Sequence, residues 1–179
     1  SSTRGISSGG YNDAGSSSNI IQYVTIASAG NATDFGDLTV ARSATAGCAS
    51  ATRGLTAGGI GGSNNIIDYI TIASTGNATD FGDLTKASYY NTACSNATKG
   101  LITAGTNNAT QAVEFVTIAT TSNSADFGDL SVARIFCDGF SDSTPSSALE
   151  SFFAPAAIGV LGGGYANNEA ESIIEYMNI

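Results

Sequence analysis

Apolar and polar positions alternate with a period of two in a segment that recurs along the chain. In residues 66–73, Ile66, Asp68, Ile70 and Ile72 fall on one face of an extended backbone, and Ile67, Tyr69, Thr71 and Ala73 on the other. β-Branched and aromatic side chains dominate this run, which favours a strand over a helix. The turn formers Ser74-Thr75-Gly76-Asn77 end it. Three more strands are predicted nearby: through Phe81-Gly82-Asp83-Leu84-Thr85, across the small residues from Tyr89 to Ala97, and at Gly100-Leu101-Ile102-Thr103-Ala104-Gly105. Loops such as Gly61-Gly62-Ser63-Asn64-Asn65 separate such segments.

The same wording returns at a fixed interval. Phe35, Phe81 and Phe127 are spaced by 46 residues, as are Tyr23, Tyr69 and Phe115. Residues 19–42 and 65–88 agree at 19 of 24 positions, and residues 111–134 agree with the first copy at 13 of 24. A period of this length marks stacked or radially arranged supersecondary units. Four short strands in each unit make one blade of a propeller. The reading is therefore an all-β, single-domain β-propeller of about four blades over residues 1–179, with units at about 1–42, 43–88, 89–134 and 135–179.

The unit resembles a kelch-type blade. It has double glycines at Gly9-Gly10, Gly58-Gly59 and Gly162-Gly163, followed by Tyr23, Tyr69 and Tyr176, with Phe115 in the third copy. Phe35, Phe81 and Phe127 stand where kelch blades usually carry Trp. Arg42 and Arg134 close their units, whereas Ser88 and Gly105-Thr106 depart from the pattern. The phrase Thr-Ile-Ala-Ser-x-Gly-Asn-Ala-Thr-Asp-Phe-Gly-Asp-Leu-Thr also resembles repeats of bacteriophage virion structural proteins, over residues 1–134 and more weakly 156–179. That resemblance implies a tail, fibre or surface-appendage role, in a virion or extracellular setting.

In the kelch strand order the first unit lacks its inner strand and the last lacks its outer one. Leu130 to Val160 spans 30 residues where Leu84 to Leu101 takes 17, so an insertion at about 143–155 interrupts the fourth unit. Three readings follow: a four-bladed ring with irregular closure, part of a longer array, or ends completed by neighbouring subunits. Unpaired edges template a strand from another chain, which predicts self-association by edge-strand pairing. The chain begins at Ser1 without a methionine, which points to processing or truncation.

A net charge of −9 argues against binding nucleic acid or anionic membranes. No apolar run reaches the length of a membrane-spanning helix. There is no His, which removes Ser-His and Cys-His catalytic machinery. No catalytic residue and no cofactor is expected.

Asp34-Phe35-Gly36-Asp37 recurs at 80–83 and 126–129. Asn31, Asp34 and Asp37 offer oxygen ligands for calcium. The structural alternative is an Asx turn, a Phe packed between blades and a Gly that permits a bend. Asn31, Asn77, Asn96 and Asn108 open Asn-x-Thr sequons and are candidate glycosylation sites, with turn formation as the simpler role. Cys48, Cys94 and Cys137, one per unit, are expected to be small buried residues of the innermost strand. The insertion breaks the symmetry, and its Leu149, Phe152 and Phe153 are candidate partner contacts or an edge cover. A second function class is a lectin-like propeller that binds cell-surface glycans through Tyr11, Tyr165, Asn64 and Asn107.

Overall fold

The computed structural model describes residues 3–103, 105, 111–141, 158–166, 169–170 and 172–178. Among them the regular structure is entirely β, in four main antiparallel sheets and one short hairpin. The first sheet holds β1 (Arg4–Ser8), β2 (Ser18–Thr25) and β3 (Thr33–Arg42). The second runs β4 (Ala46–Ala49), β5 (Arg53–Ala57), β6 (Ile66–Thr71) and β7 (Thr79–Asp83). The third repeats it with β8 (Thr92–Ser95), β9 (Lys99–Thr103), β10 (Ala112–Thr117) and β11 (Ala125–Asp129). The fourth pairs β12 (Asp138–Ser141) with β13 (Ile158–Gly162) and β13 with β16 (Ile174–Asn178), while β14 (Tyr165–Ala166) and β15 (Glu169–Ala170) form the hairpin.

Equal sequence gives equal register. Ile6 lies opposite Tyr23, Leu55 opposite Tyr69, Leu101 opposite Phe115 and Val160 opposite Tyr176. The Asp-Phe-Gly tripeptide is a β-bulge. Ile67 pairs with Gly82 but Asp68 pairs with Asp80, so Phe81 is the extra residue on its strand. The same skip falls at Phe35, between Gly36 and Asp34. A bulge re-aims its extra side chain, and Phe35 and Phe81 are buried. Gly36, Gly82 and Gly128 take φ of +146°, +145° and +147°, which glycine alone adopts without strain. Each Phe meets the ring of the neighbouring strand edge-on: Tyr23–Phe35 and Tyr69–Phe81 at 6.0 Å, Phe115–Phe127 at 6.1 Å.

Three sequence expectations shift. The innermost strand is shorter than Tyr89 to Ala97, because Tyr90 takes a left-handed φ of 58°, as do Ala44 and Phe136 one period away on either side. The double glycine of the fourth unit is Gly163-Gly164, whose φ values of 65° and 112° match those of Gly58-Gly59, and not Gly162-Gly163. Cys137 precedes β12, and Phe140 holds the place that Cys48 and Cys94 hold on β4 and β8.

The innermost strands touch in a row. Ser95 Oγ donates to the Ala49 carbonyl at 2.7 Å, and Ser141 Oγ donates to the Ser95 carbonyl. The sheets thus stack in chain order, but no closed ring forms among the described residues.

Candidate functional site

Each sheet turns a front face to the sheet before it and a rear face to the sheet after it. The rear face of the second sheet, with Cys48, Leu55, Ile67, Tyr69 and Phe81, packs on Ala93, Ile102, Val116 and Ile118 of the third. The rear face of the third, with Cys94, Leu101, Val113 and Phe115, packs on Leu161 and Met177 of the fourth. The rear face of the first, with Ile6, Ile21, Tyr23 and Phe35, packs on Ile70 and Ala78 of the second. One junction is built three times.

Polar groups lock these junctions. Arg42, at the end of β3, reaches across to Asp68 of β6 at 2.7 Å, with both side chains fully buried. Its guanidinium also donates to the carbonyls of Gly58 at 2.8 Å and Ile66 at 2.7 Å. Burial lowers the Arg42 pKa and the Asp68 charge opposes that shift. Asp68 also accepts from the Thr39 amide and hydroxyl. Arg134 and Glu175 repeat the pair between the third and fourth sheets. At the middle junction Ser88 stands in place of arginine. There Glu114 accepts from the Thr85 amide at 2.9 Å, the Thr85 hydroxyl at 2.5 Å and the Ser124 hydroxyl, and Ser88 donates to Asn91 at 2.7 Å.

A second set of cations works at the start of each unit. Arg4 lies over the Tyr23 ring at 4.5 Å and donates to the Ile72 carbonyl of the next sheet at 2.6 Å. Arg53 lies over Tyr69 at 4.6 Å and donates to the Ile118 and Ala119 carbonyls. Lys99 sits 5.6 Å from the Phe115 centroid. Four of the chain's six basic residues therefore bond across a junction, Lys99 lies over a ring of its own sheet, and Lys86 is exposed. None of these roles was assigned from the sequence beyond the closing position of Arg42 and Arg134.

Of the calcium candidates, Asp37 takes part in joining sheets through its backbone amide, as does its counterpart Asp83. The Asn77 side chain accepts from the Asp37 amide at 3.1 Å, and Asn123 accepts from the Asp83 amide at 3.0 Å. Among the described residues no three His, Cys, Asp or Glu side chains converge on one point. Of the sequons, Asn31 and Asn77 are exposed, and Asn96 caps its own turn by accepting from Thr98 and Lys99 amides. Asn108, and Leu149, Phe152 and Phe153 of the insertion, lie outside the described residues. Of the proposed sugar contacts, Tyr11 is exposed. The Asn64 amide, oriented to donate, bonds the Gly59 and Gly62 carbonyls at 3.0 Å and so holds a turn. Asn107 and the Tyr165 side chain are not described.

The three thiols are free; Cys94 and Cys137 are buried, and Cys48 is half-buried, lining a cavity beside β1. Burial pushes Cys48 up to about 12, with the nearby Cys94 adding to the shift, and pushes Cys94 up to about 11.

The unfinished parts lie at the two ends of the stack. Among the described residues β1 pairs only with β2, so the first sheet stops where the next two have β4 and β8. Between β1 and β4 lies a cavity of about 280 Å³, lined by Arg4, Ile6, Ser8, Cys48, Leu55 and Tyr69 among others. At the other end the rear face of the fourth sheet is uncovered among the described residues: Phe140 is 64% exposed and Ile174 and Tyr176 are each 75% exposed. Their counterparts in the third sheet, Cys94 and Val113, are buried, and Phe115 packs against that core. The front face of the first sheet is open too, with Ile20 at 49%, Val24 at 39% and Ile26 at 58%. No protein-family model matches the chain, and no curated protein matches it.

Proposed function

We propose that the chain is a non-enzymatic structural protein with a kelch-like propeller architecture, part of an extracellular or virion appendage, that assembles into a fibre or multimer. The observation that carries this reading is the unfilled strand position beside β1, where the sheet ends early and a 280 Å³ cavity separates it from β4. An unpaired edge beside an open cavity favours addition of a strand. The cations support the same reading, since four of the six bond from one sheet to the next. The chain thus acts as a scaffold, and its open ends join it to its neighbours.

Sedimentation velocity over a hundredfold range of concentration, with negative-stain electron microscopy, tests this. Assembly that grows with concentration is expected, and a peptide with the sequence of residues 45–50, which contains the innermost strand of the second sheet, should reduce it by filling the slot. A chain that stays monomeric throughout overturns the reading.

A further inference from the structure

We propose that the bare rear face of the fourth sheet seats the front face of the first sheet of a second copy, giving a head-to-tail stack. The inference rests on the assembly reading above and adds a contact between faces to the pairing of edges. Its template is inside the molecule. Phe140, Val160, Ile174 and Tyr176 hold the same register positions as Cys94, Leu101, Val113 and Phe115, which the fourth sheet covers. Ile20, Val24 and Ile26 stand one period before Ile66, Ile70 and Ile72, on the face by which the second sheet packs on the first. The two end faces are thus the two halves of a junction already made three times, and both are open in one molecule.

Charge supports the same pairing. Inside the chain the front faces bring Asp68, Glu114 and Glu175 into the junctions, whereas Gln22 stands at the matching place in the first sheet. Arg4, Arg53 and Lys99 begin the first three units, whereas Ile158 stands at that register in the fourth. Both of these end positions are uncharged, and Phe140 stands where the second and third sheets have Cys48 and Cys94. Different faces in contact make a heterologous interface, which extends rather than closes in pairs.

Two blocked variants test this. Ile174→Lys with Tyr176→Lys blocks the rear face, and Val24→Lys with Ile26→Lys blocks the front face. Each alone should self-associate at least tenfold more weakly than the parent chain by sedimentation. Mixed in equal amounts, they should form a 1:1 complex more tightly than either associates alone, because one intact face of each kind remains. Retained near-ultraviolet circular dichroism confirms folding; should either variant unfold, Ile174→Thr with Tyr176→Ser and Val24→Thr with Ile26→Thr replace the lysines. Blocked variants that assemble like the parent overturn the face contact and leave assembly through edges standing. A mixture that associates no better than either variant alone overturns it as well, and so does a monomeric parent with Tyr176 protected from iodination, which would mean closure within one chain. A parent that is monomeric with Tyr176 reactive overturns both proposals.

Discussion

Arg42 and Asp68 meet at 2.7 Å with no solvent exposure on either side chain, and they belong to different sheets. Each is the other's answer to burial, because a lone charge in that place has no water to solvate it. Removing one partner of such a pair costs about 3–5 kcal/mol. Asp68→Ala, which also strips the Thr39 hydroxyl and amide of their acceptor, should lie in that range by urea denaturation. The double variant Arg42→Met with Asp68→Leu should recover at least half of the loss. Equal destabilisation by single and double variants would mean that the pair matters for shape and not for charge compensation.

The middle junction makes the converse prediction. Glu114 is buried there with hydroxyl and amide donors, and Ser88 and Asn91 fill the space that arginine occupies at the other two. Ser88→Arg with Asn91→Thr copies the first junction, where Thr45 stands at the place of Asn91. A charged hydrogen bond contributes about 1.5–3 kcal/mol in such settings. After the cost of ordering the new side chain, a gain of about 1 kcal/mol is expected in chemical denaturation. A loss of stability would show that Asn91, which also accepts from the Gly105 amide, cannot be spared.

The bulge glycines supply an internal control. A Cβ on Gly82 would lie 2.4 Å from the Ser122 carbonyl oxygen, and one on Gly36 2.4 Å from that of Gly76, whereas Gly128 has nothing within 4 Å among the described residues. All three share the same positive φ. Gly128→Ala therefore carries backbone strain alone, about 1 kcal/mol, and Gly82→Ala adds a backbone clash between sheets. Thermal melts should place Gly82→Ala well below Gly128→Ala, by roughly twice the shift or more. Equal shifts would remove the inter-sheet contact from the explanation.

Much of this architecture was legible because a 46-residue period and alternating side chains leave few other folds open. The Asp-Phe-Gly phrase shows where reading stops. A packed Phe and a bending Gly followed from residue type, but a bulge is a relation between two strands and appears only when Ile67 is set against Gly82 and Asp68 against Asp80. The Arg4, Arg53 and Lys99 series was hidden for a plainer reason. Arg4 to Arg53 is 49 residues and Arg53 to Lys99 is 46, so a search at fixed period misaligns the first member. Cys137 misled in the opposite way. It continued the count of one cysteine per unit, yet it sits three residues before the position of Cys48 and Cys94, which Phe140 occupies.

The thiols give a pH dependence with a definite sign. Burial raises Cys48 to about 12 and Cys94 to about 11, from an ordinary value of 9.0. The folded chain therefore keeps protons that the unfolded chain releases once the pH passes about 9. Stability from these groups is fully present below pH 9 and falls as pH climbs toward the folded values. Denaturation midpoints measured from pH 8 to 10.5 should decline, and the decline should be shallower in Cys48→Ala, referenced to its own stability at pH 8. In the native state at pH 8 both thiols should react with Ellman's reagent at least a hundredfold more slowly than in guanidinium, because the thiolate is the attacking species and burial suppresses it. Rapid labelling of Cys48 in the folded chain would mean that the cavity beside β1 opens readily to solvent, and the steep pH dependence should then vanish with it.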